Sequence, residues 1–501
     1  MALVSSKSDF SVFFCTSSMK IPGMHVELKP HQIHALKWQL RAEKVHSGGL
    51  NGHLPGLGKT IQALSLICMD RGIHPSHRKA GQGGTLIIVP ACVTKQWFDQ
   101  VKSKTNLSVF LFYDKWRSVL NDYMTAGNSS GTGLCSFLCQ YDIVITSYST
   151  ILLDDLFKAA EKMHWFRIII DEVHVLRNVT SKRFKALAQL QATYKWGLSG
   201  TLLMNTPLDL FGPMQFLGLW KQTERAKFIK ALQRGEVAKH VLESSTEDVA
   251  NLELPALNTE IRMIDLFADW EAEAYKALLL SSRRMVRSSI AANAEGARKT
   301  RTHIFALMMK LRQAANAVPL IDARYKDYTS SKCKAVIDLI QMRLNEDHTS
   351  KFILFSNFTQ VLALYERLLH AAGIPSLIYS GELNAKQREH VLDRFKEGDE
   401  STGEDFCVLL ASTPCANAGI NITEANVVIL NDLSYNPKID EQCIARSHRI
   451  GQTRPVHVYK MICKNTVDER ILSIQNRKTR MIDQVKSKAE SNIALIKELL
   501  A

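Results

Sequence analysis

The chain has 501 residues, 46% of them hydrophobic and 22% charged, the balance of a globular protein with room for two substantial domains and their insertions. No apolar run reaches the roughly 18 residues needed to span a bilayer, and the stretch from Phe10 to Cys15 has neither the basic flank nor the length of a secretory signal. Lys and Arg number 63 against 49 Asp and Glu, a net charge of +14 that suits a polyanionic partner as well as plain solubility. The ten cysteines are scattered without a C-x-x-C pair, which argues against a zinc finger or a disulfide framework and fits a reducing compartment.

The first informative segment is Gly56-Leu57-Gly58-Lys59-Thr60, followed at once by the helical stretch Ile61 to Cys68. Glycines let a backbone turn so that its N–H groups and the next helix N-terminus face a phosphate. Lys59 then supplies a charge for the β- and γ-phosphates, and Thr60 a hydroxyl for Mg2+. The first glycine of the strict G-x-x-x-x-G-K-T pattern is replaced by His53. Strands are expected at Thr85 to Val89, Asp142 to Thr146 and Arg167 to Ile170, with a surface loop between the first two at Ala126 to Gly133. Three isoleucines end on Asp171-Glu172-Val173-His174. Carboxylates at a strand end suit a metal shell, here Asp171, and a general base, here Glu172.

From about Leu219 to Thr329 no strand series is visible and the sequence favours helix. Within it, Ser281 to His303 is rich in Arg, and reads as a solvated helix or loop with a DNA-phosphate contact as the alternative. Strands resume at Phe352 to Phe355, Cys407 to Leu410 and Val427 to Asn431. Near the end, Gln442 to Gln452 spells Q-C-I-A-R-S-H-R-I-G-Q, and the spacing of Arg446 and Arg449 places both on one helical face, where they could reach a phosphate or form surface ion pairs. The tail from Lys478 reads as one amphipathic helix.

Taken in order, these segments resemble the Swi/Snf family of DNA translocases in helicase superfamily two, from about Leu28 to Ile471. Leu28 to Gln32 looks like the adenine-reading Q motif, with Gln32 the reader; Thr85 to Pro90 with Trp97 is similar to motif Ia, and Thr146-Ser147-Tyr148 to motif Ib. Leu198 to Thr201 with Asn205 resembles motif III, Ile353 to Phe358 motif IV, Ser412 to Thr423 motif V, and Ser447 to Tyr459 motif VI. The resemblance implies an α/β fold of two RecA-like lobes, each a mainly parallel sheet flanked by helices, with helical insertions between them. It implies ATP and Mg2+ as cofactors, Gln32, Gly56, Leu57, Gly58, Lys59, Thr60, Gly419 and Gln442 around the nucleotide, and Arg446 and Arg449 as arginine fingers. Trp97, Thr146, Ser147, Ser356, Ser412, Thr413 and Asn421 become contacts to one strand of duplex DNA. The chain looks most like the branch of RING-type repair translocases, termination-factor-like ATPases and viral global transactivators, without the RING finger. A nuclear DNA motor acting in repair, transcription or chromatin, on nucleosomes or other DNA-bound proteins and with no membrane partner, is the expectation. A weakened DNA-binding relative and a strand-separating helicase are the rivals.

Departures from the pattern are also legible. His53, Leu54 and Pro55 stand where the family has an acidic pair and Met; Leu202 and Met204 replace Pro and Gln in motif III; Ala416 and Asn417 replace two glycines in motif V. Glu243 to Glu247 stands where the family has a basic block. The expected layout is an extension 1–25, a first lobe 26–240, a helical insertion and linker 241–329, a second lobe 330–485 and a helical tail 486–501.

Overall fold

The computed structural model describes residues 18–73, 82–112, 133–200, 207–221, 224–244, 254–266, 269–291, 297–398, 405–416 and 420–488. The chain divides into two compact units between Glu253 and Leu254. In the first, β1 (Met19–Lys20) and β2 (Glu27–Leu28) form a small antiparallel pair. Seven further strands, β3 (Gly48–Asn51), β4 (Gly83–Val89), β5 (Val109–Phe112), β6 (Ile143–Ser147), β7 (His164–Asp171), β8 (Gln191–Leu198) and β9 (Val241–Leu242), make a sheet in the order β5-β6-β4-β7-β8-β3-β9. Every neighbouring pair in it is parallel.

Parallel strands need crossover helices on both faces, so their residues are buried whichever way they point, and apolar runs replace alternation. Leu86, Ile88, Val144, Ile168 and Ile170 enter one core, while Ile87, Val89, Ile143, Ile145 and Ile169 enter the other. Each such side chain contributes about 1.5–3 kcal/mol by leaving water. The first helix, α1 (Pro30–His46), is pinned to this sheet by Glu43, whose carboxylate accepts from Arg167 Nε at 2.7 Å, Arg167 Nη2 at 2.8 Å and Trp196 Nε1 at 2.8 Å, all buried. Close packing also dictates β3: a Cβ on Gly48 would stand 1.8 Å from the Lys195 carbonyl oxygen.

The second unit holds β10 (Leu257–Ile264), β11 (Phe352–Ser356), β12 (Ser376–Tyr379), β13 (Val408–Ser412), β14 (Val427–Leu430) and β15 (Val456–Cys463), in the order β10-β15-β14-β11-β13-β12 and again all parallel. Ile353, Phe355, Leu409 and Val428 face one core and Phe352, Leu354, Leu410 and Ile429 the other. A buried Lys332 ties three segments together, donating to Asn316 Oδ1, the Asn431 carbonyl and Asp468 Oδ2 at 3.1, 2.7 and 2.7 Å.

The expected α/β class, with two mainly parallel sheets flanked by helices, is what the strands form. The middle region 241–329 differs from a purely helical linker, because it supplies β9 to the first sheet and β10 to the second. β10 reads Leu-Asn-Thr-Glu-Ile-Arg-Met-Ile and is an edge strand exposed along most of its length, so it lacks the apolar run that marks the interior strands. Helices Asp269–Ala291 and Ala297–Asn316 follow it within the second unit. The apolar stretch Phe10 to Cys15, loop residues 126–132, Thr201, Leu202, Met204, Asn205, Asn417, Gly419 and residues 245–247 lie outside the described residues, as do the side chains 286–305 of the Arg-rich segment.

Candidate active site

Parallel pairing puts all C-terminal strand ends on one edge of a sheet, where ligands of open α/β folds bind. In the first unit, Asp171 of β7 lies level with Leu198 of β8, and Leu198 level with Asn51 of β3. Three neighbouring strands therefore deliver the start of the Gly-Lys-Thr loop, the Asp-Glu pair and Ser199 to one place. The Ser199 N–H donates to the Asn51 carbonyl at 3.0 Å, closing that edge.

The loop is shaped by Gly56 (φ +89°) and Gly58 (φ +75°), conformations that other residues rarely adopt. A Cβ on Gly58 would also stand 2.6 Å from Gln32 Nε2, so a side chain there would displace the glutamine amide. Helix α2 (Lys59–Ile73) begins at Lys59, so its first-turn N–H groups point out of the N-terminus toward any bound phosphate. The Lys59 ammonium donates to the His53 and Leu54 carbonyls at 2.8 and 3.3 Å, bonds that a phosphate oxygen can replace. Behind the loop, His31 Nε2 meets the Leu57 carbonyl at 3.1 Å, and Gln62 Nε2 lies 3.1 Å from the same carbonyl and 3.0 Å from His53 Nδ1. Gln32 is buried, with Oε1 accepting from the Lys29 N–H at 3.0 Å, a bond that caps the start of α1.

Asp171 is held from both sides. Its Oδ2 accepts from Trp97 Nε1 at 2.9 Å and its Oδ1 from the Glu172 N–H at 3.0 Å, while the Tyr148 hydroxyl donates to its carbonyl. Burial and the neighbouring Glu172 push its carboxyl up to about 6, and Trp97 and the Lys59 charge pull it back. Glu172 is left-handed (φ 52°), a strained conformation that aims its side chain at Ser199 and His174. Glu172 Oε2 accepts from Ser199 Oγ at 3.2 Å and lies 3.2 Å from His174 Nδ1. Hard oxygen donors beside a phosphate-facing helix end, with a lysine in electrostatic reach of the carboxylate, fit a nucleoside triphosphate and Mg2+. Thr60 and Asp171 are the residues that would hold the metal.

The expected DNA contacts fare differently. Trp97 is 3% exposed and its indole N–H is committed to Asp171, so it braces the carboxylate instead of meeting a phosphate. Thr146 and Ser147 are 0% exposed, bonded respectively to the Phe112 carbonyl and to Ser149 and Thr150. Ser356 is 0% exposed and donates to Asp432 Oδ2 at 2.6 Å. Ser412 and Thr413 are also buried. Polar residues at the end of a buried strand take partners inside the protein, a neighbouring strand's carbonyl for Thr146, two nearby hydroxyls for Ser147 and Asp432 for Ser356, which leaves the contact reading to groups beyond the strand end. Asn421 alone of the set is partly exposed.

In the second unit, helix Pro437–Ile444 ends with Gln442 buried inside it, and Arg446 and Arg449 follow in turns, so a shared helical face is not what pairs them. They are neighbours nonetheless: burial and the Arg446 charge pull Arg449 down to about 10. This loop is sewn to the segment before β14. Ile422 N–H donates to the Arg446 carbonyl at 3.0 Å, and Gln452 Nε2 donates to the carbonyls of Thr423, Ala425 and Ser447 at 2.9, 3.0 and 3.2 Å. His448 Nε2 donates to the Pro255 carbonyl at 2.8 Å. The letters R-S-H-R-I-G-Q thus alternate two guanidiniums with the side chains that fix their loop.

Sequence reading gave no role to His31, Asn51 or Gln62, nor to Arg312, which donates to Asp432 Oδ1 at 3.2 Å and to the Leu433 carbonyl at 2.9 Å. For His31, Gln62 and Arg312 the signal is a buried polar side chain on a helix, and for Asn51 a buried polar residue ending β3. Two departures from the family pattern also meet in space, since the Leu54 N–H donates to Ser244 Oγ at 2.9 Å.

The sequence profile of the SNF2-related domain matches residues 31–320, and that of the helicase conserved C-terminal domain matches residues 331–451. A probable global transactivator of Orgyia pseudotsugata multicapsid polyhedrosis virus is 27% identical over 518 aligned positions, covering 95% of this chain and 94% of its own. The human SWI/SNF-related matrix-associated actin-dependent regulator of chromatin subfamily A member 1 is 26% identical over 92% of this chain and 45% of its own length. Transcription termination factor 2 of Drosophila melanogaster is 24% identical over 92% and 57%. The chain therefore spans nearly all of the viral relative and roughly half of these cellular ones. Among solved structures, the Sulfolobus solfataricus SWI2/SNF2 ATPase core in complex with dsDNA covers 96% of this chain and 94% of its own at 23% identity and a TM-score of 0.41, a likeness too loose to add to the sheets described above.

Proposed function

The chain belongs to the SNF2-related family of helicase-like ATPases, and from that premise we propose that it is an ATP-driven motor that moves along double-stranded DNA. The observation that carries the reading is the meeting of Lys59, Asp171 and Glu172 at the C-terminal edge of one parallel sheet, with Ser199 and His174 orienting the glutamate. In this reading Lys59 would move from the His53 and Leu54 carbonyls to the β- and γ-phosphates of ATP, and Thr60 and Asp171 would hold Mg2+, which would supply charge neutralisation there. Glu172 takes the proton of the attacking water, and its bonds to Ser199 and His174 fix where that proton goes. Arg446 and Arg449 are the groups of the second unit that would offset the charge on the departing phosphoryl group.

The net charge of +14 fits a duplex partner gripped through phosphates with little base preference. Relatives named for chromatin and transcription suggest the nucleus as the setting, and nucleosomes, other DNA-bound proteins or DNA structures met in repair as what is remodelled. One observation favours a weakened ATPase as the second reading. Pro55 lacks an N–H where the loop approaches phosphate, and its ring packs where a Gly200 side chain would be, 2.7 Å from that Cβ position.

Phosphate release measured with duplex DNA, single-stranded DNA and RNA, beside a strand-displacement assay, separates the readings. The motor reading expects turnover raised by duplex DNA without strand displacement. DNA binding without turnover supports the weakened relative, and unwinding or preference for a single strand or RNA supports a helicase.

A further inference from the structure

We propose that β10 is a surface through which two copies of this chain associate, by antiparallel pairing of their open strand edges about a twofold axis at Ile261. The proposal concerns the second unit alone and does not depend on the motor reading.

β10 lies at the end of its sheet, and among the described residues it pairs with β15 alone. Its ladder shows which backbone groups are already used. The Ala256 carbonyl accepts from the Val456 N–H and the Ile264 carbonyl from the Lys464 N–H, both at 2.8 Å. Residues bonded to one neighbour alternate along a strand, so the even-numbered residues of β10 face β15. The N–H and C=O groups of Leu257, Thr259, Ile261 and Met263 therefore point to the open edge, a template for another strand.

The side chains of the same residues are half in water. Leu257, Ile261 and Met263 are 43%, 44% and 42% exposed. Register places Leu257 beside Val456, Thr259 beside Val458 and Met263 beside Ile462, and these three residues of β15 belong to one core. That core thus runs out to the sheet edge and ends there on exposed apolar groups.

Charge selects the occupant. Glu260 and Arg262 are the charged residues of β10, and they form an exposed ion pair at 2.6 Å on its other face. When two copies pair antiparallel about Ile261, that residue meets itself, Thr259 meets Met263, and Glu260 meets Arg262 of the second copy on each side of the axis. The edge-facing residues make the hydrogen-bonded pairs. Glu260 and Arg262 then fall in the non-hydrogen-bonded pairs, where side chains stand closest. An axis at Glu260 or at Arg262 would instead set like charges opposite each other, which is destabilising. The strand is therefore complementary to its own reverse in one register.

A solvated edge is the competing account. Natural edges are guarded by proline, bulges or charged side chains. β10 has no proline, its register with β15 is unbroken from Leu257 to Ile264, and its two charges offset each other. One strand pair buries less than the roughly 1,200–2,000 Å2 of stable complexes, so the dimer should be weak and concentration-dependent.

The test is sedimentation equilibrium of the full chain, without nucleotide or nucleic acid, from about 1 to about 200 µM. The wild type should pass from monomer to dimer across that range. Ile261→Pro deletes an N–H that faces the edge and none that bonds β15, so it should abolish the dimer with little change in melting temperature. Glu260→Arg and Arg262→Glu should each weaken self-association at least about tenfold by placing like charges opposite. Mixed together, with one of them fluorescently labelled, these two variants should associate about as well as the wild type, because each then meets opposite charges in the other. The Glu260→Arg/Arg262→Glu double variant should likewise dimerise. A wild type monomeric at every concentration would overturn the proposal and leave the edge to a strand of another protein. A dimer that survives Ile261→Pro, or a mixture of the two single variants no more associated than either alone, would also overturn it.

Discussion

Replacing Trp97 with Phe separates two jobs for one residue. The indole donates to Asp171 Oδ2 at 2.9 Å, one of two donors on that carboxylate, and phenylalanine keeps most of the ring while deleting the donor. A hydrogen bond to a charged group contributes about 1.5–3 kcal/mol, and about 1.4 kcal/mol moves a pKa by one. The bond favours the ionised form, so its loss should raise the Asp171 carboxyl from about 6 to about 7 or above. In the proposed reading Asp171 holds the metal only when ionised, so activity should be present above its pKa and be lost as pH falls through it. The assay is kcat/KM for ATP with saturating duplex DNA across about pH 5 to 9, which reports the free enzyme, with duplex affinity measured in parallel. The acidic limb should move from near 6 to near 7 or above, with kcat/KM at neutral pH down several-fold and duplex affinity unchanged. An unmoved limb together with weakened duplex binding would refute the brace and restore Trp97 as a DNA contact.

Gly58→Ala puts a Cβ 2.6 Å from Gln32 Nε2 at a φ of +75°; left-handed strain of about 1–2 kcal/mol should weaken nucleotide binding roughly tenfold, read by titration with a fluorescent ATP analogue. Glu43→Ala leaves Arg167 buried without its carboxylate and should destabilise the first unit by about 3–5 kcal/mol, seen as a lower melting temperature. Duplex affinity should fall linearly with salt on a log–log plot while changing little between unrelated sequences, as measured by fluorescence anisotropy.

The fold was legible wherever a buried strand is an apolar run. The strand expected at Arg167 to Ile170 appears as His164–Asp171, and that at Phe352 to Phe355 as Phe352–Ser356, because interior parallel strands demand apolar runs. β3 reads Gly-Gly-Leu-Asn and β10 is polar and exposed, so neither carries that signal; contact with Lys195 dictates Gly48, and an edge position permits the polar residues of β10. In the site, the backbone demands of the phosphate loop and the strand-end carboxylates were visible as residue types. Side-chain direction was not. A motif marks Thr146, Ser147 and Ser356 as strand ends but does not tell whether a hydroxyl faces solvent or its own backbone, and here it faces inward. Likewise the bonds of Gln452 and His448 that fix the arginine loop join residues far apart in sequence, and no local pattern encodes them.

The most direct test of the central claim is phosphate release from ATP by wild type, Lys59→Ala and Glu172→Gln, each with and without duplex DNA. The account predicts wild-type turnover that rises with duplex DNA, near-complete loss of turnover in both variants, and ATP binding retained by Glu172→Gln. Turnover in either variant equal to that of the wild type, or a wild type indifferent to duplex DNA, would contradict it.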